Sequence, residues 1–161
     1  MVVIGVLSAI IAALYAVFER DDGRALGWSS VSQLGLAILS PSYACIYAMQ
    51  HGICKTLLFT TLSSPTEYTS DGEEQTSPTN VPEWLLVTIF VIGCLSIMGL
   101  PLTAGFVTKT WLKGDIPLEA RLITSTSTLL TATVYARLIW SRVANYKKNL
   151  STFIKSQAHK S

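Results

Sequence analysis

The 161-residue sequence predicts an all-α polytopic membrane protein with about five transmembrane helices. Three observations predict it. Half of the residues are hydrophobic and only 14% are charged, against about 25% in soluble domains. The apolar residues fall into runs near membrane-crossing length, separated by short polar turns. One run is interrupted by Gly99, Pro101 and Gly105, and a broken helix at membrane depth survives only where protein or a water-filled cavity covers it.

The elements follow in order. Residues 2–18 form a first span of about 17 apolar or small residues. The run has no basic segment before it and no small-residue cleavage site after it, so it is expected to be a retained membrane helix rather than a signal peptide. "ERDDGR" (Glu19 to Arg24) is a polar turn. A second span over 25–40 carries Ser29, Ser30, Ser32 and Gln33, too much polarity for a lipid-facing helix but suited to one buried among helices. Pro41 ends it. The third span, 42–62, contains "HGICKTLLF" (His51 to Phe59). The stretch 63–82 is an acidic, proline-containing loop with Glu67, Asp71, Glu73 and Glu74, bordered by Glu83. A fourth, broken span covers 83–112, with its break at Gly99, Pro101 and Gly105 and with Lys109 beyond it. The fifth span is 119–140, with Arg137 snorkelling near its end. A basic tail, 142–161, follows. It holds five Lys and Arg residues and no acidic residue.

The positive-inside tendency puts the end with Arg20, Arg24 and the tail on the cytoplasmic side, so the C-terminus is expected to be cytoplasmic. Cys45, Cys54 and Cys94 match no metal spacing and are expected to be buried packing residues. No nucleophile triad, metal cluster, phosphate loop or cofactor fingerprint is present. No catalytic residue, cofactor, metal or nucleic-acid partner is expected, and any redox chemistry would belong to other subunits.

Lys55 is the residue this pattern has to explain. It lies about seven residues, roughly 10 Å, inside its span, where a charge costs about 3 kcal/mol on insertion scales. His51 precedes it by one turn on the same helix face. A histidine is the side chain that exchanges protons near neutral pH. Lys109 follows the helix break, where a cavity is expected. Two buried lysines and a histidine on neighbouring helices suit proton passage along water.

In order along the chain stand the polar turn with "GWSSVSQLG", then "HGICKTLLF", then "GLPLTAGFVTKTWL", then "LLTATVYARL". Together these resemble the antiporter-like proton-pumping subunits of complex I-type NAD(P)H-quinone oxidoreductases and of Mrp-type cation/proton antiporters. The resemblance runs from Leu7 to about Leu138 and lies in the conjunction of the motifs. It implies that Lys55 is the central lysine, His51 the histidine one turn before it, Lys109 the lysine of the broken helix that ends the proton path, and Gly99, Pro101 and Gly105 the break. It covers only the second of the family's two five-helix repeats. Two departures stand out: Tyr47 occupies the place of a second histidine, and the usual Asp-x-Lys-Arg turn reads Asp21, Asp22, Gly23, Arg24.

The resemblance implies a half-length proton-translocating subunit whose partners are other membrane subunits, lipid and protons, with sodium open as the coupling ion. The membrane would be a bacterial cytoplasmic membrane or a cyanobacterial thylakoid. The alternatives are a non-conducting copy that keeps the fold and a subunit of an Mrp-type antiporter.

Overall fold

The computed structural model describes residues 2–63 and 82–160, and the acidic loop expected at 63–82 lies, but for its two ends, outside the described residues. The described residues are all helical or in turns. The helices are α1 (Val2–Phe18), α2 (Asp22–Leu39), α3 (Pro41–Ser63), α4 (Glu83–Met98), α5 (Ala104–Asp115) and α6 (Leu118–Lys160).

Local chemistry sets these limits. α2 starts three residues before the expected Ala25, because Asp21 is its N-cap and its carboxylate accepts the Arg24 N–H at 2.8 Å. Ser40 separates α2 from α3, and Pro41 opens α3 where its missing N–H costs nothing. α4 ends in a Schellman turn. Gly99 takes a left-handed conformation at φ 82°, its N–H reaches the Ser96 carbonyl at 3.1 Å, and the Leu100 N–H reaches the Leu95 carbonyl at 3.2 Å. Pro101 cannot continue the helix, and Leu102 also takes positive φ, at 75°, which is rare outside glycine.

Gly105 lies not in the break but in the first turn of α5. A Cβ there would fall 1.7 Å from the Ser96 carbonyl oxygen. Glycine is what lets α5 fold back against the end of α4.

α6 is one helix of 43 residues, about 65 Å long. The sequence suggests a span ending near Trp140 and a separate tail. Instead the helix continues through the basic segment, which contains neither Gly nor Pro to stop it.

α1 packs on α2 and α6, α3 packs on α2, α4 and α5, and α4 packs on α6. The α1–α2 contact is close because Ala9, Ala12, Ala13 and Ala16 face inward. One apolar cluster joins Leu26, Leu58, Phe90, Cys94, Ile97 and Leu138. A second joins Leu36, Tyr47, Leu112 and Ile116. Of the three cysteines expected to be buried, Cys54 and Cys94 are, but Cys45 is exposed, because the helical period turns it away from the face that carries Tyr47, His51 and Lys55.

Among the described residues no helix is both long and apolar enough to cross a membrane, so the five spans are not individually legible in the structure. The two causes are separate. The apolar helices α1 and α4 have 17 and 16 residues, about 25 Å, against a hydrocarbon thickness of about 30 Å. α2, α3 and α6 have the length but carry polar residues on their inner faces.

Replacing Gly105 with alanine should destabilise the protein by roughly 2 kcal/mol, the scale of an overpacked site. Denaturant unfolding of the detergent-solubilised protein would show this as a lowered midpoint against the wild type.

Candidate functional site

The bundle interior carries many polar side chains among its apolar ones, and the exterior carries many large apolar ones. Ser29, Ser32, Gln33, Thr124, Ser127 and Thr131 are buried, while Val3, Met49, Ile92, Leu122 and Trp140 are among the exposed large apolar side chains. Soluble proteins arrange these classes the other way.

The three residues expected to handle protons all lie in this interior. His51, Lys55 and Lys109 are 6%, 6% and 8% exposed. His51 and Lys55 share the buried face of α3 with Tyr47, since four residues make about one turn. The Lys55 ammonium donates to the Leu26 carbonyl of α2 at 2.5 Å and lies 5.4 Å from the centroid of the Tyr135 ring, a cation–π contact. Ser29 holds the Tyr135 hydroxyl at 2.7 Å from below.

Lys109 reaches back from α5 to the end of α4. It donates to the Ile97 carbonyl at 2.5 Å and to the Met98 carbonyl at 3.3 Å. These are carbonyls that a helix C-terminus leaves without partners. The same ammonium also complements the negative end of the α4 dipole.

His51 stacks on the Tyr47 ring, with centroids 6.1 Å apart and 18° between planes. Its Nε2 is buried with no hydrogen-bond partner. Both lysines act electrostatically on it. Gly99 and Pro101 stand at the break beside Lys109, whose side chain would touch a Cβ at Gly99 at 3.1 Å.

Among the described residues the one ion pair is Arg24–Glu19 at the surface, 3.3 Å apart, so neither buried lysine has a carboxylate partner there. Nor do three His, Cys, Asp or Glu residues come together among them in a way that could hold a metal.

Two further polar groups surround the site. Gln50 of α3 donates to Cys54 at 3.3 Å and to Ser96 at 3.4 Å, and accepts from Thr108 at 3.5 Å. This links α3 to both halves of the broken helix. On the other side, Tyr47 donates its hydroxyl to the Gln33 amide oxygen, and the Gln33 amide nitrogen donates to Thr131 at 3.2 Å. Ser32 and Ser127 both donate to the Ala9 carbonyl and lie 3.0 Å apart.

Ser32 and Gln33 were expected to be buried among helices, but their partners on α6 were not expected. A signal was present in the spacing Thr124, Ser127, Thr131, Tyr135 on the last helix. These are three or four residues apart and therefore on one face. Arg137, expected to snorkel, instead caps α1 through the Val17 and Glu19 carbonyls at 3.0 and 2.7 Å.

Buried ammonium groups and a helix broken beside a lysine are features of a class of membrane ion-handling proteins. The comparisons with known proteins narrow it. The family model described as NADH:quinone oxidoreductase/Mrp antiporter, TM matches residues 1–139. The chain belongs to this family of membrane proteins. It is 29% identical to the NADH-ubiquinone oxidoreductase chain 5 of Metridium senile over 175 residues, covering 98% of this chain and 28% of that one. It is 26% identical to the NADH-quinone oxidoreductase subunit N of Beutenbergia cavernae over 123 residues, 66% of this chain and 23% of that one. It is 28% identical to the Hydrogenase-4 component B of Escherichia coli over 131 residues, 67% of this chain and 19% of that one. The chain thus spans between about a fifth and just over a quarter of the length of these relatives. No solved structure matches it.

Tyr135→Phe should cost about 1 kcal/mol, because it removes the Ser29 hydrogen bond and keeps the ring. Tyr135→Leu should cost more, because Lys55 then also loses its aromatic face. Comparing the two unfolding midpoints separates the hydroxyl from the ring.

Proposed function

We propose that this chain is an antiporter-like, proton-translocating subunit of a complex I-type assembly, and that Lys55, His51 and Lys109 carry the protons. The observation that carries the reading is the pair of ammonium groups buried on backbone carbonyls, with the unpartnered Nε2 of His51 one helical turn from Lys55. Buried charges are expensive, and apolar residues of similar volume usually serve stability as well or better. A use for the charge accounts for the cost.

The residues suit the task. Each ammonium can release a proton and take one up again. The free imidazole nitrogen accepts protons and hands them on. The carbonyls that hold the lysines fix their positions without neutralising them, as a carboxylate would.

In this reading the chain crosses the membrane five times, through α1, α2, α3, the α4–α5 pair and the first part of α6. The apolar exterior faces lipid and neighbouring subunits. Arg137 binds the end of α1 and Arg142 the end of α3. The basic turn at Arg20 and Arg24 and the basic part of α6 therefore share one end of the bundle, and that end is the cytoplasmic one. The names of the relatives favour a quinone-reductase assembly over an Mrp antiporter, with other membrane subunits as partners and protons as the coupling ion.

Lys55→Ala should reduce driven proton uptake by about a hundredfold or more, the scale of a lost proton donor, while the assembly still forms. Dye-reported acidification of vesicles containing the complex purified through this chain would measure it. Undiminished uptake would instead assign the chain a purely structural role.

A further inference from the structure

Gln33 is fully buried, and both ends of its amide are in use. On one side the amide oxygen takes the hydroxyl of Tyr47, whose ring stacks on His51. On the other side the amide nitrogen meets the Thr131 hydroxyl at 3.2 Å. Thr131 itself donates to the Ser127 and Thr128 carbonyls. Beyond it the Ser127 and Thr124 hydroxyls, both fully buried, share its face of α6. Ser127 is paired with Ser32, and Thr124 bonds to the carbonyl of Arg121, an exposed residue. The ten residues from Thr131 to Arg121 rise about 15 Å. A row of polar side chains, its α6 hydroxyls resting on backbone carbonyls, therefore runs from Tyr47 beside the His51 ring to an exposed end of the bundle, with a single amide in it.

The chemistry of that amide differs from that of its neighbours. A hydroxyl both donates and accepts, so a line of hydroxyls and waters can pass a proton along. A carboxamide neither takes up nor releases a proton near neutral pH. This holds whichever way the amide is turned. An apolar residue at this place would leave the Tyr47 hydroxyl unsatisfied and draw water into the gap. A carboxylic acid would satisfy both and conduct, taking a proton on one oxygen and releasing one from the other. Glutamine is the residue that fills both hydrogen bonds and stops the proton.

We infer that Gln33 is an insulating residue, which separates the proton-handling His51 and Lys55 from the hydroxyl column of α6 and keeps protons from slipping along it to the Arg121 end. The inference rests on the translocation reading above, and it concerns leakage rather than pumping.

The test uses the whole membrane assembly in vesicles, with no driving reaction and an imposed pH step, read by an entrapped pH-sensitive dye. Gln33→Glu should raise passive proton entry by about a hundredfold, as a positioned proton relay does. Adding Thr131→Val should return it to the wild-type rate, because the relay then has no next hydroxyl. Gln33→Ser, which buries no new acid, leaves room for a bridging water and should leak as well. Tight vesicles from both single variants in assembled complex would overturn the inference. So would a leak that Thr131→Val does not suppress. Driven uptake by Lys55→Ala in the same vesicles keeps the two readings apart. A leaking Gln33→Glu beside a fully pumping Lys55→Ala would remove translocation and leave the insulating role. Tight Gln33 variants beside a dead Lys55→Ala would do the reverse.

Discussion

The need to give helix-terminal carbonyls a donor shapes this bundle. Four helices meet it with a cation. Arg137 holds the end of α1, Arg142 the Thr61 carbonyl near the end of α3, Lys109 the end of α4, and Arg121 the Gly114 and Ile116 carbonyls at the end of α5. Three of the four donors come from α6. Over residues 121–142 α6 reaches the end of α5 with its first turns and the ends of α1 and α3 further along. From Arg121 to Arg142 it climbs 21 residues, about 32 Å at 1.5 Å per residue. This is close to the thickness of a hydrocarbon layer. The two levels of capped ends are spaced as two membrane faces are.

Scarcity of water orders the interior. Hydroxyls at the helix contacts donate to carbonyls of their own or neighbouring helices, as Ser32 and Ser127 do to Ala9. Small residues bring the backbones close enough for this. The buried polar atoms left without partners include His51 Nε2 and Arg142 Nε. Arg142 also feels the carboxylates of Glu83 and Asp22, in the first turns of α4 and α2. No carboxylate among the described residues does the same for His51.

The helical class and the break were legible because Gly, Pro and the apolar runs speak locally. Gly99 and Pro101 stop a helix by their own backbone chemistry, whatever surrounds them. The approach of His51 to Lys55 was equally legible, since four residues make one turn. The continuity of α6 was not. Polarity after Trp140 reads as the end of a membrane span, but helix propensity does not fall there. The seam through Gln33, Tyr47 and Thr131 was also out of reach, because it joins residues 14 and 98 positions apart. Sequence spacing shows which residues share a helix face but not which faces meet. The proton-handling roles of Lys55, His51 and Lys109 rest on resemblance and on chemistry, and the fold supplies the burial that makes them reasonable.

The two lysines are not equivalent. Lys109 satisfies the end of α4, so the fold uses its donor whether or not protons pass through it. Lys55 rests on the Leu26 carbonyl, in the second turn of α2, where Ser30 also donates at 3.1 Å. A carbonyl inside a helix already serves the helix ladder, so the backbone makes no demand that Lys55 answers. A structural account therefore places Lys109 more readily than Lys55, whose contacts are the Leu26 carbonyl and the Tyr135 ring. The burden of the functional reading falls on that one side chain, held over an aromatic ring one turn from an imidazole with a free nitrogen.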